Sequence, residues 1–164
     1  MGFLSDILGE LFGTNRTSPI PQTDNGYPKL YHFTDVRNIP SIRQYGLLSW
    51  YQIQLKGIKN IPGSDALSRR LDTQKGLHDY VRLCLHKDHP MLHVCRREGR
   101  IGNYRWLEID PYVWYWNANL YSDTNAAAHR AIVDSDPDTA LTSGDIQAEV
   151  LIHRSLNPKY IRVL

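Results

Sequence analysis

Hydrophobic positions change their spacing several times along this chain, and each change predicts an element. Phe3, Leu4, Ile7, Leu8, Leu11 and Phe12 recur at helical intervals. The opening segment is therefore expected to be a short amphipathic helix that docks on the domain or on a partner. Residues 13–28 are rich in Pro, Gly, Ser, Thr and Asn and predict a linker. The folded domain is expected from Lys29 onward. KLYHFT predicts a strand. Over DVRNIPSIRQYG, Val36, Ile39 and Ile42 share one helical face. Pro40 falls in its first turns, where a missing N–H costs least, and Gly46 is its stop. Residues 49–76 have no clear period and are broken by Gly57, Pro62, Gly63 and Gly76, with one helical turn expected around SDALSRRL. So long an irregular stretch in a single domain is a candidate for function.

Strand spacing returns at Val81, Leu83 and Leu85, which alternate with Arg82, Cys84 and His86. KDHP reads as a turn, with Met91–Cys95 as the returning strand of a hairpin. YRWLEID predicts another strand and TNAAAHRAIV a helix. AEVLIH and KYIRVL predict two terminal strands. There is no internal repeat. Short helices among many strands predict an α+β fold with antiparallel pairs. One position breaks its own pattern: Glu149 stands among Ala148, Val150, Leu151 and Ile152.

Composition narrows this picture only a little. A chain of 164 residues suits one domain with tails. A net charge of +2 gives no global field toward a polyanion. Two cysteines, Cys84 and Cys95, make no disulfide framework and fit a reducing compartment such as the cytoplasm. No run approaches the roughly 20 apolar residues of a membrane span. The first residues lack a basic region and a small-residue cleavage site, so no signal peptide is expected. Asp6 stands where a myristoylation motif needs Ser or Thr.

Several constellations offer chemistry. Cys84, His86, His89, His93 and Cys95 are residue types that zinc takes, but their spacing matches no common zinc motif. A half-exposed hairpin explains them without a metal, and no metal is expected. His32, between aromatic residues on a strand, is either a structural histidine or a partner for a ligand hydroxyl. Arg69 and Arg70 are either solvated surface charge or a fork for phosphate oxygens. Tyr80 offers a ring that can stack on a flat heterocycle. A glutamate in an apolar strand either lines a cleft or makes a structural ion pair. No P-loop, G-x-G-x-x-G or G-x-S-x-G is present.

Four segments in order, LYHFTDVRNIPSIRQYGLLS, GLHDYVRLCLHKDHPML, YSDTNAAA and QAEVLI, resemble the DarT family. These are toxins of toxin–antitoxin pairs that attach ADP-ribose to bases of single-stranded DNA. The stretch VRLCLHKDH replaces a more aromatic family version. The resemblance implies an ADP-ribosyltransferase domain over residues 29–164, after an N-terminal helix and linker over 1–28. Two packed, mainly antiparallel sheets would hold NAD, used as a substrate, in a central cleft. It implies that Glu149 is the catalytic acid and that His32 bonds a ribose hydroxyl. Thr34 would help hold the nicotinamide end. Arg69 would be the site arginine, with Arg70 as the alternative, and Tyr80 a further cofactor contact. Residues 49–76 would cover NAD. Residues 134–147, with Ser143 and Gln147, would present the target. Arg82, Arg96, Arg97 and Arg100 would contact the DNA backbone. The implied partners are single-stranded DNA and a macrodomain antitoxin, with no membrane, for a monomeric enzyme. Two other readings stand beside it: an NAD-using enzyme acting on RNA, and a non-catalytic nucleic-acid-binding module.

Overall fold

The computed structural model describes residues 26–164. The expected N-terminal helix, and all but the last three residues of the expected linker, lie outside that range. Of those three, Tyr27 stacks on Trp114 with ring centroids 5.1 Å apart. Pro28 is fully buried, its carbonyl accepting from Trp114 Nε1 at 2.9 Å.

The strands are β1 (Leu30–Asp35), β2 (Leu47–Leu48), β3 (Tyr80–Cys84), β4 (Tyr104–Ile109), β5 (Leu120–Ser122), β6 (Val133–Asp134), β7 (Glu149–His153), β8 (Ser155–Leu156) and β9 (Ile161–Val163). Seven of them form one antiparallel sheet in the order β6-β5-β7-β3-β1-β4-β9. The other two, β2 and β8, pair as a small second sheet. The helices are α1 (Ile39–Tyr45), α2 (Trp50–Leu55), α3 (Ala66–Gln74), α4 (Pro90–Arg97) and the short α5 (Asp138–Leu141). The expected α+β class with antiparallel pairing holds, and the two sheets are unequal in size.

Strand alternation decides what the sheet buries on each side. Val81 and Leu83, Leu107 and Ile109, and Val150 and Ile152 enter the main core with Ile42 of α1, Val113 and Trp114. On the other side Phe33, Tyr104 and Trp106 pack on Leu92 and Cys95 of α4, together with Ile101. Leu151 packs there too, against Leu77 and Ala126. Layers on both faces make β3 and β7 central strands.

Two expectations are corrected. Met91–Cys95 is not a returning strand but lies within α4. Pro90 opens that helix, where its fixed φ is already helical, and His89 Nδ1 accepts from the Met91 N–H at 3.2 Å as the cap. TNAAAHRAIV forms turns rather than a helix. The alanines favour helix, but their backbone is claimed elsewhere. The Ala127 N–H is bound by Asn125 Oδ1 and the Ala126 N–H by Glu149, and the Ala126 and Ala128 carbonyls accept from Lys75 Nζ. Residues 49–76 carry more order than their composition suggests. They hold α2, capped by Ser49 Oγ on the Gln52 N–H at 3.1 Å, and α3, capped by Asp65 on the Ser68 N–H at 2.7 Å.

Candidate active site

Strands β1 and β3 share the register pair Tyr31↔Cys84. Beyond it His32 bridges the two strands with its side chain, Nδ1 lying 2.9 Å from the Arg82 carbonyl. A carbonyl has no proton to give, so Nδ1 carries the hydrogen and donates it. Burial pulls the imidazole below its ordinary pKa, which favours the neutral ring. Its other nitrogen, Nε2, is then an acceptor.

A cavity of about 360 Å³ lies where these strands part. That volume suits a small-molecule or cofactor site. His32, Thr34, Tyr80, Arg82, Gln147 and Glu149 line it together. One wall comes from Ser49, Trp50, Ile53 and residues 60–65, and from Leu67, Ser68, Leu71 and Asp72 of the third helix. That wall is pinned. Asn38 donates to the Ile61 carbonyl at 2.9 Å and accepts from the Ile61 N–H at 2.8 Å. The Gly63 carbonyl accepts from Arg100 and from the Cys95 thiol.

Glu149 is buried at the start of β7. Its strand neighbours Val150 and Ile152 enter the main core, while Glu149 and Leu151 turn to the opposite face. Glu149 Oε2 accepts from Arg82 Nη1 at 2.8 Å and from the Ala126 N–H at 2.9 Å. Arg82 sits diagonally across the β3–β7 ladder, whose register pairs are Arg82↔Leu151 and Cys84↔Glu149. Its second nitrogen, Nη2, donates to Asp72 of α3. Burial raises the Asp72 carboxyl above its ordinary value, and the Arg82 charge works against that rise. Cys84, opposite Glu149, has its thiol pushed up by burial, with Glu149 as the next cause. It donates to the Tyr31 carbonyl. The two alternatives for Glu149 thus hold at once: it lines a cavity and it is ion-paired.

The other expected residues divide. Thr34 is buried at the cavity and its hydroxyl accepts from Asn38 at 3.1 Å. Tyr80 lies beside His153, ring centroids 5.1 Å apart. Gln147 is buried with Oε1 unpartnered among the described residues. Ser143 is exposed, away from the cavity lining, and accepts from the Asp145 N–H at 3.1 Å. Neither Arg69 nor Arg70 lines the cavity. Arg69 donates to the carbonyl of Ser64, itself a lining residue, at 3.1 Å, and Arg70 is exposed. The arginine at Glu149 is Arg82, which the sequence reading placed on a DNA backbone. Asp72 was not singled out from the sequence, and His89 only among the residue types that zinc takes. His89 is buried at the cavity with Nε2 unpartnered among the described residues, and burial lowers its pKa to about 4.

The cysteine–histidine cluster is dispersed by α4. Among the described residues no group of three or more His, Cys, Asp or Glu is arranged to hold a metal ion. Among the same residues no helix is long and apolar enough to cross a membrane.

Comparison with known proteins gives the site a context. A family model described as "ssDNA thymidine ADP-ribosyltransferase, DarT" matches residues 31–146, a stretch that stops just before Gln147 and Glu149. No curated protein matches the sequence. Among solved structures, Thermosipho africanus DarTG in complex with ADP-ribose is similar with a TM-score of 0.69 at 20% identity. That match covers 81% of this chain but only 42% of that one. Thermus sp. 2.9 DarT in complex with ADP-ribosylated ssDNA gives a TM-score of 0.61 at 16% identity, over 79% of this chain and 76% of that one. The same Thermus protein with carba-NAD+ gives 0.58 at 17% identity, over 88% and 81%. At these identities the likeness is one of fold.

Proposed function

Because the chain belongs to the DarT family of ssDNA thymidine ADP-ribosyltransferases, we propose that it transfers ADP-ribose from NAD to thymine in single-stranded DNA. The observation that carries this reading is the meeting of Glu149 and His32 in one cavity of cofactor size.

Breaking the nicotinamide–ribose bond builds positive charge on the sugar, as glycoside hydrolysis does. Nicotinamide leaves as a neutral molecule with the bonding pair. The Glu149 carboxylate opposes the positive charge as it develops. Thymidine N1 already carries its own sugar, so N3 is the ring nitrogen free to bond to C1′. Its proton passes to Glu149 and then to water. NAD brings the activated group with it. The base must be unpaired to reach the cavity, which suits a single strand.

The remaining roles follow from position. His32 Nε2 accepts from a ribose hydroxyl, and Thr34 supports the nicotinamide end. Arg69 offsets the pyrophosphate charge, because its helix lines the cavity and its guanidinium is bound to Ser64. Arg70 is the alternative in that role. Tyr80 stacks on NAD. Gln147 and Ser143 meet the target strand, and Gln147 Oε1, unpartnered among the described residues, is an acceptor for an N–H of a base next to the thymine. We assign the chain the role of a monomeric cytoplasmic toxin opposed by a macrodomain antitoxin. Its support is family membership.

The Arg82–Glu149 ion pair favours a second reading, a nucleic-acid-binding module in which Glu149 is only structural. Mass spectrometry of single-stranded DNA and RNA oligonucleotides, one base at a time, after incubation with NAD decides between them. The proposed function expects one ADP-ribose on thymine-containing DNA. Modification of RNA alone, or of nothing, contradicts it.

A further inference from the structure

Three charged side chains share one buried contact at the cavity. Arg82 Nη1 lies 2.8 Å from Glu149 Oε2, and Arg82 Nη2 contacts Asp72. Side-chain exposures are 7% for Asp72, 22% for Arg82 and 8% for Glu149. Water therefore screens the three only weakly. Two carboxylates and one guanidinium leave one net negative charge. Lys75 also acts on Asp72, but from an exposed position and more weakly than Arg82 or Glu149 does, so it reduces this negative charge without cancelling it. Lys75 lies one turn beyond Asp72, just past the end of α3, and points its ammonium at the Ala126 and Ala128 carbonyls. Cys84, across from Glu149, is held as a neutral thiol by burial.

An Arg82–Glu149 pair alone would carry no net charge. A cation forming at the ribose would then meet a carboxylate whose field is already cancelled at 2.8 Å. Arg82 still has a use there, since its fork and the Ala126 N–H hold the carboxylate in one orientation. Asp72 takes the other edge of the guanidinium and returns the missing negative charge.

We propose that Asp72 is a positioning residue of the transfer reaction, acting through Arg82. Arg82 fixes Glu149, and Asp72 offsets Arg82, so that the cluster keeps one negative charge for the cationic end of NAD. The proposal rests on Glu149 being the acid at the reacting sugar. It makes the contribution of Asp72 one of charge rather than of shape, so a second lesion can repair the first. Asp72→Asn leaves a neutral cluster. Asp72→Asn combined with Arg82→Met returns the cluster to one negative charge.

The test uses the full chain, with parent, Asp72→Asn and the double variant compared in two ways. Asp72→Ser is a second neutral replacement should the asparagine fail to fold. Calorimetry compares NAD, whose nicotinamide ring is cationic, with NADH, whose ring is neutral. Turnover is read on a thymine-containing single strand at saturating NAD. The expected result is that Asp72→Asn lowers the preference for NAD over NADH by about tenfold and turnover by about thirtyfold. The double variant regains most of the preference and about tenfold in turnover. A purely structural role predicts the opposite order, with the double variant the worst of the three. The proposal is overturned if Asp72→Asn keeps the parental preference, or if adding Arg82→Met restores nothing. A parent that binds both dinucleotides but transfers nothing overturns the transfer reading, while the NAD-to-NADH ratios still decide the charge balance. A parent that binds neither overturns both.

Discussion

Arg82 and Glu149, from neighbouring strands, lie 2.8 Å apart across a diagonal of the β3–β7 ladder, with their shared face turned into the cavity. The guanidinium is bound at its other edge by Asp72. Removing one member of a buried ion cluster leaves an uncompensated charge, which costs more than the cluster contributes. Arg82→Met is expected to destabilise the fold by about 3 kcal/mol at neutral pH. Asp72→Asn together with Arg82→Met should cost less than Arg82→Met alone. The deficit of Arg82→Met should shrink as pH falls, because protonating one carboxylate relieves the unpaired charge. Urea unfolding of the variants at two pH values measures this, and an equal deficit at both would refute it.

The neighbouring arginines Arg69 and Arg70 separate by geometry. Arg69 is bound to the cavity residue Ser64, whereas Arg70 is exposed. Arg69→Ala is expected to weaken NAD binding at least about tenfold, the scale of a lost charge-assisted contact. Arg70→Ala should change it less than about twofold. Calorimetry checks the order, and a larger loss in Arg70→Ala would reverse the assignment.

Legibility in the sequence followed the chemistry of the flanks. Glu149 stood out because apolar residues surround it and a lone acid there needs a reason. Arg82 did not, since a polar residue alternating with Val81 and Leu83 looks like any solvent-facing strand position. Its meeting with Glu149 depends on the β3–β7 register, and its meeting with Asp72 on where α3 lies. Neither is written in local pattern. Arg69 and Arg70 drew attention by adjacency, which says nothing about direction. Strands β2, β5, β6 and β8, of two or three residues each, are too short to show a period, whereas β1, β3, β4, β7 and β9 were readable. The alanine turn at 124–128 was not, because its helix propensity yields to tertiary partners at Lys75 and Glu149. The helix at Pro90 was hidden by a proline that signals a turn and a helix start equally well.

Gly46 ends α1 with φ at 83°, a backbone region that glycine alone enters cheaply. A Cβ there would strike the Leu156 carbonyl oxygen. Leu156 pairs with Leu47, and Leu47 and Leu48 line the cavity. Gly46→Ala is expected to cost about 3 kcal/mol or more and to lower the melting temperature by more than about 5 °C. A melting curve matching the parent would show that the β2–β8 sheet does not depend on this approach.

His89 introduces a dependence on acid. Burial lowers its pKa from 6.5 to about 4. The folded value lies below the unfolded one, so the unfolded chain binds the extra proton between them. Stability therefore falls as pH drops from about 6.5, and the loss from this group is complete below about 4, at up to roughly 3 kcal/mol. His32, lowered in the same direction, adds to the slope. His89→Asn keeps a good helix cap and removes the titration. Its stability should decline less steeply than the parent's across this window. A parallel decline would place the acid sensitivity elsewhere.

The proposed role of Glu149 rests on its charge, which Glu149→Gln removes with little change in shape. Transfer of ADP-ribose to a thymine-containing single strand, followed by mass spectrometry for parent and variant at equal folded concentration, tests it directly. Clear addition by the parent is expected, with a loss of at least about a thousandfold in Glu149→Gln while NAD is still bound. A Glu149→Gln protein that labels DNA at the parental rate would contradict it.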